Sequence, residues 1–355
     1  MKLNSKERVM CAVGLGEPDR MPLDMHPNPF VAERLMKEWG LSEYRDLLLR
    51  MGSDIVDLRS AVNPTYCGPV PYLKGHPDGL RENFWGWRTR IEQTACGPEE
   101  IYAEFMLSRA ETIEEFEKHN WPSVDWFDFS DFSERLEPWC DFAVMASGPS
   151  IWQHPTFLRS LEQMLMDLLS EPELAEYMMD RFTDFYVAFF DRMFSAAPGK
   201  IDLMRIADDV GTQQGLLFSP EVFARFFVPR ITRLVEMAHS HGVKVMFHSC
   251  GAILPLIDSI AACGVDVLDP LQVTAKGMEP EVIKERFGAK MCLHGGVDTQ
   301  HLLPHGTPEK IRRRTRELME IFGKGGGYIA APSHVLQMDV PTANIEALRN
   351  AVFEG

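Results

Sequence analysis

A histidine and a cysteine follow one short apolar segment with a single residue between them. Val243-Lys244-Val245-Met246-Phe247 is typical of a buried strand, and His248-Ser249-Cys250-Gly251 comes directly after it. Zinc accepts imidazole nitrogen and thiolate sulfur, and a chain turn at Gly251 would direct both side chains at one ion. Buried cysteines and hydrogen-bonded core histidines are also common, so the pair alone leaves a packing role open.

Two further histidines stand after predicted strands. His334 follows the last one and His294 the one before it. Three protein ligands with one open position form a catalytic zinc site, at which the metal binds and deprotonates an incoming thiol or hydroxyl. We therefore predict a metal site of His248, Cys250 and His334, with His294 as the alternative third ligand. Cys263 and Cys292 are interpreted as core thiols.

A pair of carboxylates, Asp208 and Asp209, follows another predicted strand. Either residue could act as the catalytic general base, as an outer partner of a metal-binding histidine, or as an additional metal ligand. The alternative is an N-cap for the segment that follows.

Polar residues at the ends of other predicted strands are candidates for binding substrate. Arg59 could hold a substrate carboxylate or instead pair with Asp57. The full set of predicted substrate-binding residues is Asp24, His26, Arg59, Gln213, Gln272 and His294.

Eight short apolar segments, most of them separated by segments of helical periodicity, must position these residues. They are Met21-Asp24, Asp54-Leu58, Phe142-Ala146, Ile201-Ala207, Val243-Phe247, Val265-Leu268, Lys290-Leu293 and Gly327-Ala331. Such alternation predicts a parallel sheet, and closure into a (β/α)8 barrel leaves no exposed edge and gathers the strand ends at one mouth. An open doubly wound sheet is the alternative, but no Gly-x-Gly-x-x-Gly follows a strand.

The barrel is predicted to form one domain over residues 1–355, with N-terminal helices before the third strand. Residues 60–140 are interpreted as an insertion and surface elaboration, because Pro and Gly are frequent between Pro64 and Gly79. Within it, Phe84-Ile91 alternates like an exposed strand of a hairpin.

Composition narrows the class of protein. The chain has 355 residues, of which 45% are hydrophobic and 25% charged, with a formal charge of −16 that disfavours nucleic acid and anionic membranes as partners. We found no signal core at the N-terminus and no run long enough to span a membrane, which favours a cytoplasmic location. The seven cysteines are scattered and odd in number, so we expect thiols.

Several of these motifs together resemble the uroporphyrinogen decarboxylase superfamily. The resemblance covers most of the chain and is strongest after residue 200. It implies a single-domain (β/α)8 barrel with one of two activities: cofactor-free decarboxylation of uroporphyrinogen III, or zinc-dependent methyl transfer involving corrinoid proteins. The motifs are His248-Ser249-Cys250-Gly251, Asp269-Pro270-Leu271-Gln272, Leu293-His294-Gly295-Gly296-Val297-Asp298, Gly327-Tyr328-Ile329, Pro341-Thr342-Ala343-Asn344-Ile345 and Pro18-Asp19-Arg20-Met21-Pro22.

The N-terminal loop separates the two activities. Decarboxylases of the superfamily share an Arg-Gln-Ala-Gly-Arg loop whose arginines meet the substrate carboxylates, whereas this chain has Leu23-Asp24-Met25-His26-Pro27-Asn28. A carboxylate there would repel an octa-anionic substrate. The methyltransferases, typified by methylcobamide:coenzyme M methyltransferase, use His-x-Cys and a later Cys as zinc ligands. His248 and Cys250 match the first two, and His334 stands at the third, where decarboxylases also carry a His.

The sequence therefore predicts a zinc-dependent methyltransferase. It would move a methyl group between a small methoxy compound, methylamine or thiol and the corrinoid (cobalamin) cofactor of a partner protein, with a homodimer compatible with the acidic surface. The alternatives are metal-free decarboxylation of a tetrapyrrole and a non-catalytic barrel that binds corrinoid or porphyrin. A carrier would need an apolar pocket with few titratable groups, unlike the predicted mouth.

Overall fold

The computed structural model describes residues 2–69, 79–94 and 97–354. Cys96 and parts of the predicted insertion, residues 70–78 and 95–96, lie outside the described residues. The strands of the described part are β1 (Ile55–Asp57), β2 (Thr65–Tyr66), β3 (Arg81–Glu82), β4 (Arg88–Thr94), β5 (Gly97–Glu104), β6 (Phe127–Asp128), β7 (Ala143–Ser147), β8 (Leu203–Ala207), β9 (Lys244–His248), β10 (Val267–Leu271), β11 (Cys292–Val297) and β12 (Tyr328–Pro332).

Helices precede, separate and follow these strands. Asn28 caps one of them: its side-chain oxygen accepts from the Val31 backbone N–H, and Pro29 occupies the first turn. The α-helices are α1 (Ser5–Val13), α2 (Pro29–Trp39), α3 (Tyr44–Met51), α4 (Leu58–Ala61), α5 (Ile113–Glu117), α6 (Phe132–Arg135), α7 (Gln153–Arg159), α8 (Leu161–Ser170), α9 (Pro172–Ala196), α10 (Pro220–Phe226), α11 (Val228–Ser240), α12 (Ile257–Ala262), α13 (Pro280–Phe287), α14 (Leu302–His305), α15 (Pro308–Phe322) and α16 (Thr342–Phe353).

Seven strands form one parallel sheet in the order β1-β7-β8-β9-β10-β11-β12. The eighth predicted strand, near Leu23, lies between its two edges. Leu23 forms a parallel bridge to Ala330 of β12, and the Asp54 N–H, just before β1, donates to the Leu23 carbonyl at 2.7 Å. The (β/α)8 barrel is thus confirmed. Seven of its positions are strands, and the segment near Leu23 fills the eighth through an isolated bridge.

The floor of the barrel is apolar. Inward residues of the strands, among them Ile55, Leu203 and Val267, pack together with Val9 and Ala12 of α1 in one buried cluster. Helix α1 therefore closes the lumen at the amino ends of the strands, and the opposite end is left as a mouth.

Small antiparallel sheets occur in the region predicted as an insertion. β2 pairs with β6, and β3, β4 and β5 form a three-stranded sheet. The hairpin was predicted to begin with an exposed strand at Phe84, and this boundary is wrong: residues 83–87 turn, and the strand begins at Arg88. Trp85 is buried and stacks on Phe182 of α9 with 4.3 Å between ring centroids, because burial of a large aromatic outweighs local alternation.

The six described cysteines are free thiols, and Cys263 and Cys292 are buried as interpreted from the sequence. Among the described residues, no helix combines the length and the apolar character needed to cross a membrane.

Candidate active site and metal centre

A polar layer lies directly above the apolar floor of the barrel. Side chains alternate along a strand, so the residue two positions after an inward residue also points inward. Asp57, Arg205, His248, Asp269 and His294 each stand two positions after a member of the floor cluster. The same alternation that fills the floor therefore places these charged side chains at the mouth.

Three residues at this mouth bring ligand atoms together. His248 ends β9, Cys250 follows it, and His334 follows β12; their candidate ligand atoms all lie within 4.8 Å of one another. The Cys250 Sγ atom is 3.7 Å from His248 Nε2, and the His248 and His334 ring centroids are 6.0 Å apart. The structure thus brings together the three residues that the sequence predicted as metal ligands.

Gly251 allows the turn that directs Cys250 into the mouth. Its φ is +95°, which is left-handed and disfavoured for other residues. An added Cβ would lie 2.7 Å from the Thr212 carbonyl oxygen and 2.8 Å from the Gly211 carbonyl carbon. A side chain at this position would therefore clash as well as strain the backbone.

His248 is oriented by the polar layer beneath it. Its Nδ1 atom lies 2.7 Å from Asp269 Oδ2, and Arg205 Nε donates to the same carboxylate oxygen at 2.7 Å. Arg205 Nη2 also contacts Nδ1. With Nδ1 held by these two partners, Nε2 is the ring nitrogen that faces Cys250. A carboxylate behind a histidine is the usual support of a metal-binding imidazole.

The group fits a zinc ion. Bond lengths of about 2.0 Å to nitrogen and 2.3 Å to sulfur put tetrahedral ligand atoms about 3.4 to 3.6 Å apart. The 3.7 Å between Cys250 Sγ and His248 Nε2 meets this spacing, and the 4.8 Å limit on the whole group requires only a small shift. Burial, and then the negative charges of Asp209 and Asp269, raise the pKa of the Cys250 thiol. A bound cation would offset that negative charge.

His334 forms the solvent-accessible rim of the group. Although its side chain is exposed within the mouth, the surrounding protein desolvates it, and the charges of His248 and Arg205 add to this. Together these effects lower the pKa of His334 to about 4. The imidazole is therefore neutral at pH 7, the form that binds a metal.

The two adjacent carboxylates have different surroundings. Asp209 Oδ1 accepts the Cys250 backbone N–H at 2.8 Å and lies 3.8 Å from His248 Nε2. Asp208 is fully buried; its oxygens accept the Ser150 hydroxyl at 2.6 Å and the backbone N–H groups of residues 151–153 at 2.9 Å each. Burial raises the pKa of Asp208 to about 6, although these hydrogen bonds oppose the rise. Of these two neighbouring residues, Asp209 and not Asp208 contacts the group of His248, Cys250 and His334.

His294 lies in the polar layer, apart from the three-residue group. Its Nδ1 is 2.7 Å from Asp269 Oδ1, and its Nε2 is 3.0 Å from Asp24 Oδ2. Burial would lower the pKa of His294, but the two carboxylates outweigh it and raise that pKa to about 9. His294 is therefore a cation at pH 7, with both nitrogens occupied. His334 and not His294 joins His248 and Cys250.

Three other predicted substrate-binding residues surround this layer. Arg59 pairs with Asp57, with Nη2 2.8 Å from Oδ2, which was the alternative given from the sequence. His26 Nε2 is buried without a hydrogen-bond partner and lies 3.4 Å from Asp24 Oδ2. Asp24 itself is ionised, because the charges of His26 and His294 outweigh burial and lower the pKa of its carboxyl.

The glutamines Gln213 and Gln272 lie beside Cys250, at the edge of a cavity of about 270 Å³. Gln272 Oε1 accepts the Gly251 N–H at 2.7 Å, and Gln272 Nε2 donates to Gln213 Oε1 at 3.0 Å. Gln300 and Gln337 line the same cavity and were not predicted from the sequence. Arg205 was also missed, although a lone charge among the apolar residues of its strand was a usable signal.

Comparisons with known proteins agree with this fold. A family model described as uroporphyrinogen decarboxylase matches residues 140–354. Uroporphyrinogen decarboxylase of Pseudoalteromonas translucida is 28% identical over 190 residues, which is 52% of this chain and 49% of that protein. Methylcobamide:CoM methyltransferase of Methanosarcina barkeri is 25% identical over 191 residues, or 54% of this chain and 52% of that protein. The matched region thus spans about half the length of these curated relatives.

A solved structure extends the likeness to the whole fold. A methyltransferase from Methanosarcina mazei superposes with a TM-score of 0.68 at 20% sequence identity, covering 99% of each chain. At that identity the likeness concerns the fold alone.

Proposed function

The chain belongs to the uroporphyrinogen decarboxylase family, and within this family we propose that it is a zinc-dependent methyltransferase. It moves a methyl group between a small substrate, such as a methoxy compound, a methylamine or a thiol, and the corrinoid of a partner protein. The observation that carries the proposal is the convergence of His248, Cys250 and His334 within 4.8 Å at the mouth of the barrel.

The residues of the mouth divide the work. His248, Cys250 and His334 would hold the ion, which when bound supplies a Lewis acid that lowers the pKa of a thiol or hydroxyl. Asp269 and Arg205 keep His248 oriented. When the methyl acceptor is a thiol or a hydroxyl, Asp209 Oδ1, next to Cys250, accepts the proton that the acceptor releases. Related methyltransferases use a thiolate as the third ligand, and replacing it by the neutral His334 makes the site one unit more positive, which suits activation of an oxygen.

The charges of the mouth support methyl transfer over decarboxylation of a polycarboxylate. Arg205 is paired with Asp269, and Arg59 with Asp57, so both arginines are already neutralised. Asp24 stands in the loop where decarboxylases carry arginines, and its carboxylate is ionised. An octa-anionic tetrapyrrole would meet no unpaired arginine among these residues.

The test is the metal content of the purified protein after dialysis against a mild chelator. We expect about one zinc per chain in the wild type, because three protein ligands hold the ion. Cys250→Ser and His334→Ala should lose it. Cys140→Ser and His305→Ala, which alter an exposed cysteine and an exposed histidine elsewhere, are the matched controls and should retain it.

Methyl transfer is then assayed with thiol, methoxyarene and methylamine donors and free cobalamin or a corrinoid protein. Activity should require zinc and the corrinoid. Transfer that persists without any corrinoid would contradict the proposal. Decarboxylation of uroporphyrinogen that survives exhaustive chelation would replace methyl transfer with the activity of the decarboxylase relatives, and cobalamin binding without turnover would indicate a carrier.

A further inference from the structure

The cavity beside Cys250 is bordered by four glutamine side chains. Gln213, Gln272, Gln300 and Gln337 line it together with His334, and its volume is about 270 Å³. This size is just below the usual range of small-molecule pockets, about 300 to 1,000 Å³, so it suits a small ligand. None of the described residues that line it is Asp, Glu, Lys or Arg.

The orientation of three of these amides follows from one backbone group. The Gly251 N–H can only donate, so the atom of Gln272 that it meets at 2.7 Å is the oxygen. The NH2 group of Gln272 then faces Gln213 at 3.0 Å and Gln300 at 3.5 Å. An NH2 group can only donate, so both neighbours present their oxygens to Gln272. Their own NH2 groups are left over.

A second backbone group fixes the fourth amide independently. The Val31 N–H at the start of α2 donates to Asn28 Oδ1 at 2.8 Å, which makes the other side-chain atom of Asn28 its NH2 nitrogen. That nitrogen donates to Gln337 Oε1 at 2.8 Å. The NH2 group of Gln337 is therefore also left over.

Three amide NH2 groups, of Gln213, Gln300 and Gln337, thus have no acceptor among the residues that the structure describes. Each can donate two hydrogen bonds, and none carries a charge. Gln213 and Gln300 are exposed to water, so a ligand that displaces water from these groups must supply acceptor oxygens in its place. An anion would find no cationic side chain in the lining and would approach the Asp209 carboxylate next to Cys250, so that only the proposed zinc ion could attract it. A cation would be attracted by Asp209 but would meet N–H donors at all three amides.

We propose that this cavity is the substrate subsite and that it selects a small uncharged molecule with at least two acceptor oxygens, such as ether and carbonyl oxygens. The inference deepens the proposed function, since it names the substrate class of the same site. It rests, however, on the amides and not on the metal. A carboxylate, a sulfonate or an ammonium group at this position is disfavoured.

The experiment measures binding of three probes of similar size to the purified full chain by ligand-observed nuclear magnetic resonance. The probes are methoxyacetamide, which is neutral with two acceptor oxygens, methoxyacetate, which is anionic, and 2-methoxyethylammonium, which is cationic. Methoxyacetamide should bind at least about tenfold more tightly than the other two, the ratio expected for one or two unmatched hydrogen bonds.

Two isosteric variants test the role of the amides. Gln300→Glu and Gln337→Glu each replace an NH2 donor by a carboxylate oxygen, so each should weaken methoxyacetamide about tenfold and strengthen 2-methoxyethylammonium. Gln214→Glu is the control, because Gln214 is exposed on the same loop as Gln213 and does not line the cavity. This variant should keep the wild-type preference.

A Cys250→Ser arm separates this inference from the proposed function. If the metal-free variant prefers methoxyacetamide as the wild type does, the subsite stands even where zinc content and methyl transfer fail. The inference is overturned if methoxyacetate or 2-methoxyethylammonium binds as tightly as methoxyacetamide in the metal-free Cys250→Ser variant, where no zinc ion can hold the carboxylate. Unchanged preference in both glutamate variants, or no binding of any probe up to about 10 mM, also overturns it.

Discussion

Two networks of charged side chains lie at opposite ends of the same barrel. At the amino ends of the strands, Asp54 is fully buried and binds Arg8 and Arg20 at 2.9 and 2.7 Å, and Arg8 also binds Asp19 at 2.8 Å. Two arginines balance two carboxylates there. Asp54 also accepts the Ser5 hydroxyl and the Leu23 N–H, so its oxygens are fully used.

The network at the mouth is also balanced in charge but ends differently. Arg205 and the cationic His294 offset Asp269 and Asp24. Its outer atoms, however, keep bonding capacity: among the described residues, the hydrogen-bond partner of His248 Nε2 is the weakly bonding Cys250 thiol, at 3.7 Å. The comparison teaches that burial and pairing alone do not separate a structural network from a functional one. The separating feature is unused bonding capacity directed at a cavity.

The largest expected effect is a loss of folding stability when the network of Asp54, Arg8 and Arg20 at the amino ends of the strands is broken. Asp54→Asn leaves Arg8 and Arg20 without their shared carboxylate, and breaking such a buried pair costs about 3–5 kcal/mol of unfolding free energy. Urea denaturation measures the loss, while zinc content per folded chain should not change. Asp258→Asn, which removes an exposed partner of Lys290, is the control and should cost less than about 1 kcal/mol. A small loss in Asp54→Asn would show that the network contributes little.

Alkaline pH should lower the folding stability, because the cationic His294 at the mouth loses its proton. The pKa of His294 is raised to about 9, above its ordinary value of 6.5, so its contribution is complete below pH 6.5 and is lost as pH rises through 9. The raised pKa corresponds to about 3 kcal/mol. Urea midpoints between pH 6 and 10 measure the decline, and His294→Gln should flatten it. A wild-type profile that is flat over this range would contradict a cationic His294.

Asp269→Asn should lower the affinity for zinc, whereas Asp54→Asn, at the opposite end of the barrel, should leave it unchanged. The amide no longer supplies the negative charge behind His248 Nδ1, and loss of such a support typically weakens metal affinity about 10- to 100-fold. Competition with a fluorescent zinc chelator measures the affinity, with Asp54→Asn as the comparison variant. Equal affinities of wild type and Asp269→Asn would show that Asp269 does not support the metal centre.

The smallest expected effect is on stability at acidic pH, and it comes from Asp19 at the amino ends of the strands. The hydrogen bond from Arg8 lowers the pKa of Asp19 to about 2, although partial burial opposes this. Its contribution is therefore present above pH 3.8 and is lost as pH falls through 2. Asp19→Asn should remove this part of the acid limb, measured by urea midpoints between pH 4 and 2. An acid limb identical to that of the wild type would assign it to other carboxylates.

Most of the fold followed from the sequence because the barrel repeats one simple pattern. Seven of the eight apolar runs contain a strand, the run near Leu23 forms an isolated bridge, and polar residues at the ends of these runs reached the mouth. Arg205 escaped because it lies within its strand, where inward direction follows only from the alternation that starts at Leu203. The hairpin boundary at Phe84 was wrong because the burial of Trp85 depends on helix α9, which lies far along the chain.

The site was predicted less completely for physical reasons. Asp208 and Asp209 are neighbours in sequence, yet their backbone directs one into the segment 150–153 and the other at Cys250, which residue type alone does not reveal. Gln300 and Gln337 lie on loops, whose path is set by tertiary contacts. Their importance arises from hydrogen bonds to Gln272 and Asn28 that no spacing in the sequence implies.

The Leu23 segment, which joins the two edges of the sheet, has a consequence for the order of folding. The segment near Leu23 is synthesised long before β12, the strand that it must join, and Asn28 and its partner Gln337 are 309 positions apart in the sequence. Closing so long a loop has a large entropic cost, so the complete barrel cannot form before β12 has been made. Because Gln337 lines the cavity and His334 completes the ligand group, the nascent chain acquires its substrate cavity and metal centre only after residue 337 has been added.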